Sequence, residues 1–508
     1  MSTTVAAPHT PSSATVLEDA GCYRALQARD ARFDGQFFTA VTSTGVYCRP
    51  VCKVRTPKLA NCRFFTLAAQ AEAAGFRPCL RCRPELAPAS SAERAVWSVQ
   101  DASQLLALQA AQWLARPAYA SASTSIPDIA KALGVSERHL RRIFQSTLGV
   151  APQQYQLTHK LLSAKQLLTD TQLPVAEVAA MSGFASVRTF NAALQQHYQL
   201  TPTQVRASGR SSPSTALQFT LYYRPPYDVD TLLSFFAQRA LAGVEKVDTA
   251  QRSLARTLRI AHGGSHYCGW VHCRFEPEQC RVRVQVAPTL APCLPQVLTT
   301  VRALLDLDAD PQAIGTALAA TWPDAGGVRV PGCGDGFELA VRAVLGQQIT
   351  VAAAHTIAQR LVAALGTPLP VPPPPVLSTL QHLFPTPEQL LTASDDTLGQ
   401  MGIVRQRQKA LRALAQACLD GSLALHPGAA PEPSLAALQA LPGIGPWTAN
   451  YIAMRALRWP DAFVAGDVAL HNALGLRQHP QAAREAEAIA QAWRPWRSYG
   501  VIRAWQSL

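Results

Sequence analysis

The sequence predicts a multidomain α+β protein that is predominantly helical, and three observations carry that reading. The chain has 508 residues, several times what one hydrophobic core sustains, so about three domains are expected. Two breaks rich in Ser, Pro and Gly, Leu86 to Ala92 and Ala207 to Thr215, separate an N-terminal cysteine-rich module, a middle helical module and a long C-terminal module. Hydrophobic residues make up 48% and charged residues 16%, proportions of folded rather than disordered chains.

The formal net charge is +13, which points to a polyanionic partner, nucleic acid above all. Only seven of the 46 basic residues are lysine, and arginine suits planar, bidentate contacts to phosphates and bases. Residues 1–16 are rich in Ser, Thr, Ala and Pro without a basic start and apolar core, so a disordered tail is expected there, not a signal peptide. No run of about 18 apolar residues predicts a membrane span. Twelve cysteines without a secretion signal imply a reducing, cytosolic compartment, where clustered thiols bind metal.

In the first module Cys48 and Cys52 read C-x3-C, and Cys79 and Cys82 read C-x2-C. Two close pairs brought together supply four soft thiolates in a tetrahedron, the preferred coordination of Zn(II). Cys62 lies outside both pairs and reads as a buried small hydrophobe. Pro78-Cys79-x-x-Cys82 is also half of the zinc deaminase pattern. That pattern needs an upstream H-x-E, and only His9 precedes it, followed by Thr10-Pro11, so deamination is excluded. Spacing alone does not distinguish Cys48 from Cys52 as a reactive thiol.

The blocks Arg29 to Gly35 and Thr44 to Pro50, with Arg55, Asn61, Phe64, Phe65 and Ala74 to Cys79, resemble the N-terminal domain of the adaptive-response regulator family Ada. The resemblance implies one Zn(II) per chain on Cys48, Cys52, Cys79 and Cys82. It implies that Cys48, in Tyr47-Cys48-Arg49-Pro50, irreversibly accepts a methyl group from a DNA methyl phosphotriester, and that Thr44, Arg55 and Arg77 contact the DNA backbone. The chemistry is coherent, because a metal-held sulfur stays deprotonated yet electron-rich. Methylating it removes one negative charge facing the DNA, so affinity for DNA should rise.

In the middle module Ile126, Ile129, Ala130 and Leu133 recur at helical spacing before Gly134-Val135-Ser136. A second helix follows with Leu140, Ile143 and Phe144 inward and Arg138, Arg141 and Arg142 outward. The pattern repeats: Val175, Val178 and Ala179 lead into Ser182-Gly183-Phe184, then a helix with Val187, Phe190 and Leu194 inward and Arg188 on its polar face. Ser136 and Ser186 stand where N-caps belong. Each unit is a helix-turn-helix whose second helix can enter a major groove. Two in tandem before the segment His197 to Arg206 resemble the AraC-type regulator domain. That resemblance implies promoter binding through Arg138, Arg141, Arg142 and Arg188, with RNA polymerase as a candidate partner.

The third module holds Leu441-Pro442-Gly443-Ile444-Gly445-Pro446-Trp447-Thr448-Ala449 between two helical patterns. A Gly-x-Gly turn opening a helix presents backbone N–H groups to a DNA phosphate, so Gly443 and Gly445 are expected DNA contacts. Asp467 follows in Val464-Ala465-Gly466-Asp467. Read from the residues alone, it can be a helix cap. With Tyr223 to Asp228, Val330 to Cys333, Val341 to Gln348 and Trp493 to Tyr499, this hairpin-plus-aspartate resembles the helix-hairpin-helix DNA glycosylases, and among them the AlkA type of 3-methyladenine glycosylase.

The resemblance implies hydrolysis of the N-glycosidic bond to an alkylated base, with Asp467 as the catalytic carboxylate and Trp447, Tyr451 and Trp505 around the base pocket. Bifunctional relatives carry a lysine where Trp447 stands; the only lysines after residue 215 are Lys246 and Lys409, so base release without strand cleavage is expected. The last cysteine is Cys418, so no iron–sulfur cluster is expected, and no nucleotide cofactor. Where relatives insert a leucine into the base stack this chain has Gln348. Cys268, Cys273, Cys280 and Cys293 lie near His262, His266 and His272, but at irregular intervals in strand-like alternation, and are read as half-buried sheet residues. No Pro-Cys-His-Arg sequence occurs, so an acceptor domain for O6-alkylguanine is not expected.

The expected domains are therefore a zinc methyl-acceptor domain over 17–86, a tandem helix-turn-helix domain over 94–207, a linker over 208–216, a small antiparallel sheet subdomain over 217–330 and a helix-hairpin-helix domain over 331–508. The Pro368 to Pro375 run is read as a surface loop. A monomer acting on double-stranded DNA, without a membrane, is the leading reading. Its rival is a non-enzymatic regulator whose last module only recognises lesions.

Overall fold

The computed structural model describes residues 18–90, 102–115, 125–209 and 216–507. The expected tail, residues 91–92 of the first break and 210–215 of the second lie outside the described residues.

The first module is built on four short strands. After α1 (Asp19–Ala28), β1 (Phe38–Val41) pairs antiparallel with both β2 (Val46–Cys48) and β3 (Cys62–Phe65). Following α2 (Ala68–Ala73), β4 (Arg77–Pro78) runs parallel to β2 with Tyr47 opposite Pro78. That pairing sets the end of β2 beside the start of the second cysteine pair. Behind it Arg49 forms a buried ion pair with Asp34 and donates to the Cys82 carbonyl at 3.1 Å.

The middle module is all helix. It comprises α3 (Ala102–Ala115), α4 (Ile126–Ala132), α5 (Glu137–Leu148), α6 (Pro152–Asp170), α7 (Val175–Met181), α8 (Val187–Tyr198) and α9 (Pro202–Ala207). Ser136 and Ser186 cap α5 and α8 as expected, their hydroxyls accepting from the N–H groups of His139 and Thr189. Leu140, Ile143, Phe144, Phe190 and Leu194 are buried. Val187 is not: it opens α8, one turn before the buried stripe, and is exposed.

The third module begins with an antiparallel sheet of order β5-β9-β8-β7-β6. It consists of β5 (Leu217–Tyr222), then α10 (Val229–Ala237), β6 (Glu245–Asp248), β7 (Ser253–His262), β8 (Ser265–Glu276) and β9 (Arg281–Val286), backed by α11 (Leu294–Leu304) and α12 (Pro311–Leu318). Cys268 and Cys273 lie on β8, but Cys280 sits in the turn before β9 and Cys293 just before α11, which corrects the expectation that all four are strand residues. Among the described residues none of these four joins a metal-ligating group.

A helical bundle follows: α13 (Gly336–Leu345), α14 (Val351–Leu365), α15 (Pro387–Thr392), α16 (Asp395–Gln400), α17 (Arg405–Leu419), α18 (Pro431–Ala440), α19 (Pro446–Arg455), α20 (Val468–Ala473), α21 (Ala482–Ala490) and α22 (Arg497–Gln506). The proline-rich segment runs between α14 and α15, largely exposed, but Pro368 is pinned opposite His382 in a two-residue ladder. No helix among the described residues is long and apolar enough to cross a membrane.

The modules are not beads on a string. Leu161, Leu168, Val178, Phe190 and Leu194 belong to the same buried apolar cluster as Phe219, Leu254, Trp270 and Val284, so the second helix-turn-helix and the sheet share one core. The first break does not behave as a free linker either. Ala89 donates its N–H to Asp308 at 2.9 Å, its carbonyl accepts from Arg224, and the Ala87 carbonyl accepts from Arg302. Gly35, at φ +77°, lies where an added β-carbon would meet the Pro88 carbonyl oxygen at 2.0 Å, so that crossing tolerates only glycine.

Between the first two modules lies the fully buried carboxyl of Glu72. It accepts hydroxyl hydrogen bonds from Tyr47 (3.0 Å), Tyr198 (3.1 Å) and Thr158 (2.7 Å). Burial outweighs these bonds and pushes its pKa from 4.5 to about 7. The folded state therefore holds this proton more tightly than the unfolded chain. Stability is highest when the group is protonated in both states, falls as pH rises from about 4.5 to about 7, and is level above. The stability of wild type relative to Glu72→Gln should accordingly drop by on the order of 2–3 kcal/mol between pH 4.5 and 7.5. Paired urea titrations at the two pH values measure it, and a difference that does not move with pH contradicts the assignment.

Candidate metal centre and candidate active site

The parallel β2–β4 pairing makes the first site. Cys48 ends β2, Cys52 follows a turn closed by its own N–H on the Arg49 carbonyl at 3.1 Å, and Cys79 leaves β4 with its N–H on the Tyr47 carbonyl at 3.0 Å. The ligand sulfurs of Cys48, Cys52, Cys79 and Cys82 lie within 4.8 Å of one another; the first three residues are buried and Cys82 half-buried. A tetrahedron with metal–sulfur bonds of about 2.3 Å spaces its sulfurs by about 3.8 Å, so the quartet is close enough together to gather round such an ion.

Protonation tells the same story. Hydrogen bonds with Cys48 push Cys52 down to about 7 and Cys79 lower still, while Cys48 is pushed up by Cys52 and Cys82 by Cys48. Packed sulfurs cannot all be anions unless a cation lies among them. The Arg49 N–H donates to the Cys82 sulfur at 3.4 Å.

Of the expected backbone contacts, Thr44 is exposed in the β1–β2 turn, Arg55 is exposed, and Arg77 is half-buried on β4. Arg77 lines a cleft of about 300 Å³ with Arg81, Cys79, Tyr198 and Leu200, between the cysteine module and the end of α8. Cys62 is half-buried outside the quartet, its thiol donating to the Lys58 carbonyl at 3.3 Å, and so is not the buried hydrophobe expected. In the middle module Arg138, Arg141, Arg142 and Arg188 are all exposed, Arg141 beside Glu137 and Arg142 3.2 Å from His139.

The second site lies where α18, the hairpin, α19, α20 and α22 meet. Gly443 turns the hairpin at φ +77°, and Gly445 opens α19 with Pro446 in its first turn. Gly443 and Gly445 are exposed. Asp467 is the N-cap of α20, its Oδ1 accepting the Leu470 N–H at 2.7 Å. The cap and functional readings are thus not alternatives, because the same carboxylate is ringed by aromatic donors. Trp505 donates its indole N–H to Oδ1 and Trp447 donates its own to Oδ2, each at 2.9 Å. Trp447 stacks on Tyr451 (centroids 5.2 Å apart, planes 9° from parallel), and Tyr451 meets Trp505 at 6.2 Å. The four expected residues therefore form one cluster.

Several members went unnoticed in the sequence. Arg455, one turn after Tyr451, donates to the Tyr451 hydroxyl and to the Pro331 and Gly332 carbonyls. Phe235 on α10 faces it, its ring 4.8 Å from the Arg455 guanidinium and 3.8 Å from that of Arg239. Burial would raise the Tyr451 phenol, but Arg455 and Arg239 hold it below its usual pKa. Phe235 carried one signal, as a phenylalanine off the buried stripe of Val229, Leu232, Leu233 and Phe236. Arg455 carried none.

Comparison with known proteins matches four family models in sequence. They are the metal binding domain of Ada (residues 21–85), a helix-turn-helix domain (129–208), the AlkA N-terminal domain (218–335) and the HhH-GPD superfamily of base excision DNA repair proteins (341–498). The chain is 38% identical over 503 residues to a probable bifunctional transcriptional activator/DNA repair enzyme AlkA of Mycobacterium tuberculosis, covering 96% of each. It is 34% identical over 287 residues to DNA-3-methyladenine glycosylase 2 of Escherichia coli, covering 56% of this chain and 96% of the relative. It is 32% identical over 194 residues to the regulatory protein ada of Salmonella typhimurium, covering 38% of this chain and 51% of the relative.

The quartet makes a direct prediction. Purified protein should carry one tightly held metal ion per chain, and Cys79→Ser should lose it while Cys62→Ser keeps it. Elemental analysis after dialysis against a weak chelator decides; equal metal in both variants would count against the quartet as the site.

Proposed function

The chain belongs to the family of bifunctional transcriptional activator/DNA repair enzymes, and we propose that it answers DNA alkylation at two separate reaction centres. At one end it takes a methyl group from a DNA methyl phosphotriester onto Cys48; at the other it hydrolyses the bond between an alkylated base and its sugar at Asp467. It is an alkylation-damage response protein in which methyl transfer to cysteine and a DNA-3-methyladenine glycosylase are joined by a helix-turn-helix regulator. The observation that carries the reading is the carboxylate of Asp467 held between two indole N–H groups in a ring of aromatic side chains.

At the first centre Cys48, Cys52, Cys79 and Cys82 would hold Zn(II). The ion, when bound, keeps the thiolates deprotonated at neutral pH without removing their nucleophilicity. Cys48 Sγ attacks the methyl carbon; the sulfur–carbon bond forms as the carbon–oxygen bond breaks, and the phosphate leaves as an ordinary anionic diester. Thr44, Arg55 and Arg77 would hold the DNA backbone, Arg77 from the same strand pairing that sets Cys48. Arg138, Arg141, Arg142 and Arg188, exposed on the second helices of their units, would face the promoter, with RNA polymerase as the partner recruited.

At the second centre alkylation of a purine ring nitrogen has already made the base a cation and a good leaving group. The protein must extrude the base, hold it and stabilise the sugar as the bond breaks. Trp447, Tyr451 and Trp505 offer ring faces to the cationic base, worth on the order of 1–2 kcal/mol for each desolvated contact. Asp467 Oδ1 already accepts two donors and Oδ2 one, which leaves a lone pair of Oδ2 for the developing oxocarbenium or the attacking water. Gly443 and Gly445 would receive a phosphate, and Gln348, exposed at φ +55°, would fill the gap in the stack.

Asp467→Asn keeps the cap acceptor at Oδ1 and removes the charge, so base release from methylated duplex DNA should fall by at least a hundredfold while folding is retained. Equal release by both proteins would take Asp467 out of the reaction, and no release by either would leave only a lesion-reading regulator. For the other end, peptide mass spectrometry after incubation with methylated DNA should find one added methyl on Cys48. A methyl on Cys52 instead would reassign the acceptor.

A further inference from the structure

We propose that Gln347 is a positioning residue for base release. Its carboxamide ties the loop carrying Gln348 to the hairpin, so that the side chain entering the base stack and the pocket receiving the displaced base stay at a fixed separation. The inference rests on the assignment of Gln348 as the inserting residue.

Gln347 Nε2 donates to the Gly443 carbonyl at 2.9 Å and to Thr448 Oγ1 at 3.0 Å. A carbonyl only accepts, so the nitrogen and not the oxygen of the amide must face Gly443, and the orientation of the side chain is fixed. Gly443 is the turn of the hairpin; Thr448 is buried beside Trp447 in the first turn of α19. One side chain thus spans from the inserting loop to the hairpin and to the aromatic wall.

The other side of the loop is held too. Arg407 donates to the Gln347 main-chain carbonyl. Arg407 lies in the first turn of α17, and Ala410 on the same helix lies so close to the hairpin that a β-carbon on Gly443 would come within 3.2 Å of it. A single helix therefore seats both loops. Thr350 caps α14 just beyond, accepting the Ala353 N–H at 3.2 Å. Between these anchors Gln348 takes φ +55°, a conformation a side-chain-bearing residue leaves unless its neighbours are fixed.

The physical consequence is selective. Extruding a paired base costs a few kcal/mol, which insertion and pocket contacts offset only if both are made together. A loop cut loose from the hairpin should lose that simultaneity. Chemistry on a base that leaves the stack easily should hardly change.

The test uses full-length protein and two duplexes with the same methylated purine, one opposite its normal partner and one opposite an abasic site, under single-turnover conditions. Gln347→Ala, and Gln347→Met, which keeps the length but cannot donate, should release base roughly tenfold or more slowly from the paired duplex. On the abasic-opposed duplex they should stay within about threefold of wild type. A 2-aminopurine beside the lesion should brighten less with these variants, reporting poorer extrusion. Equal losses on both duplexes, or no loss, overturn the proposal. Gln348→Ala is measured alongside. If it shows the duplex-dependent loss and the Gln347 variants do not, this inference alone fails; if it leaves both rates unchanged, the assignment of the inserting residue fails.

Discussion

The constraint on which the N-terminal half depends is the position of Cys48 between two residues that are both interdomain anchors. Tyr47, just before it, points its hydroxyl to the buried carboxyl of Glu72, which also takes the hydroxyls of Thr158 and Tyr198 from the helical module. Arg49, just after it, pairs with Asp34 and lays its guanidinium 4.2 Å from the ring centre of Tyr222, the last residue of β5. The ion pair lies within the first module; the Glu72 cluster on one side and the Tyr222 ring on the other tie this three-residue stretch to both neighbouring modules. The strand that ends in Cys48 has little freedom of its own; a change there is felt on two sides at once.

The second centre follows a similar logic with different parts. The carboxylate of Asp467 is tied to the backbone as the cap of α20 and to two side chains through their indoles. A cap alone would fix its position along the helix but not its rotation. Trp447 comes from the helix after the hairpin and Trp505 from the last helix, so three separate segments must be in place before the carboxylate is aimed. A group oriented in advance by fixed dipoles need not reorganise as charge develops in the reaction.

Much of this was legible in the residues, and the part that was not has a common cause. Cysteine spacing, the caps at Ser136 and Ser186, and the Gly443 to Gly445 turn are local signals, each set by a few residues of sequence, and each appears in the structure. Val187 was misplaced because helical periodicity does not say where a stripe begins. What spacing could not reveal joins distant segments: Gln347 with Gly443, Phe235 with Arg455, Ala89 with Asp308. Pro- and Ser-rich composition reads as a linker, yet residues 87–89 are held by backbone hydrogen bonds, which any sequence can make.

The charge around the aromatic cluster is the least intuitive feature, since the cluster proposed to take a cationic base contains two guanidinium groups. Their geometry removes the conflict. Arg455 turns its donors to the carbonyls of Pro331 and Gly332 and to the Tyr451 hydroxyl, and Arg239 to the Phe235 carbonyl and the Gln238 side chain. Both lie over the Phe235 ring, and Arg455 also meets the Tyr451 hydroxyl. The carboxylate of Asp467 is held instead by the two indole nitrogens. On the proposed mechanism a sugar becoming positive is stabilised by the Asp467 carboxylate, and the base, which becomes neutral as its bond breaks, loses its attraction to it. A carboxylate set beside the base instead would hold the substrate cation and oppose its cleavage.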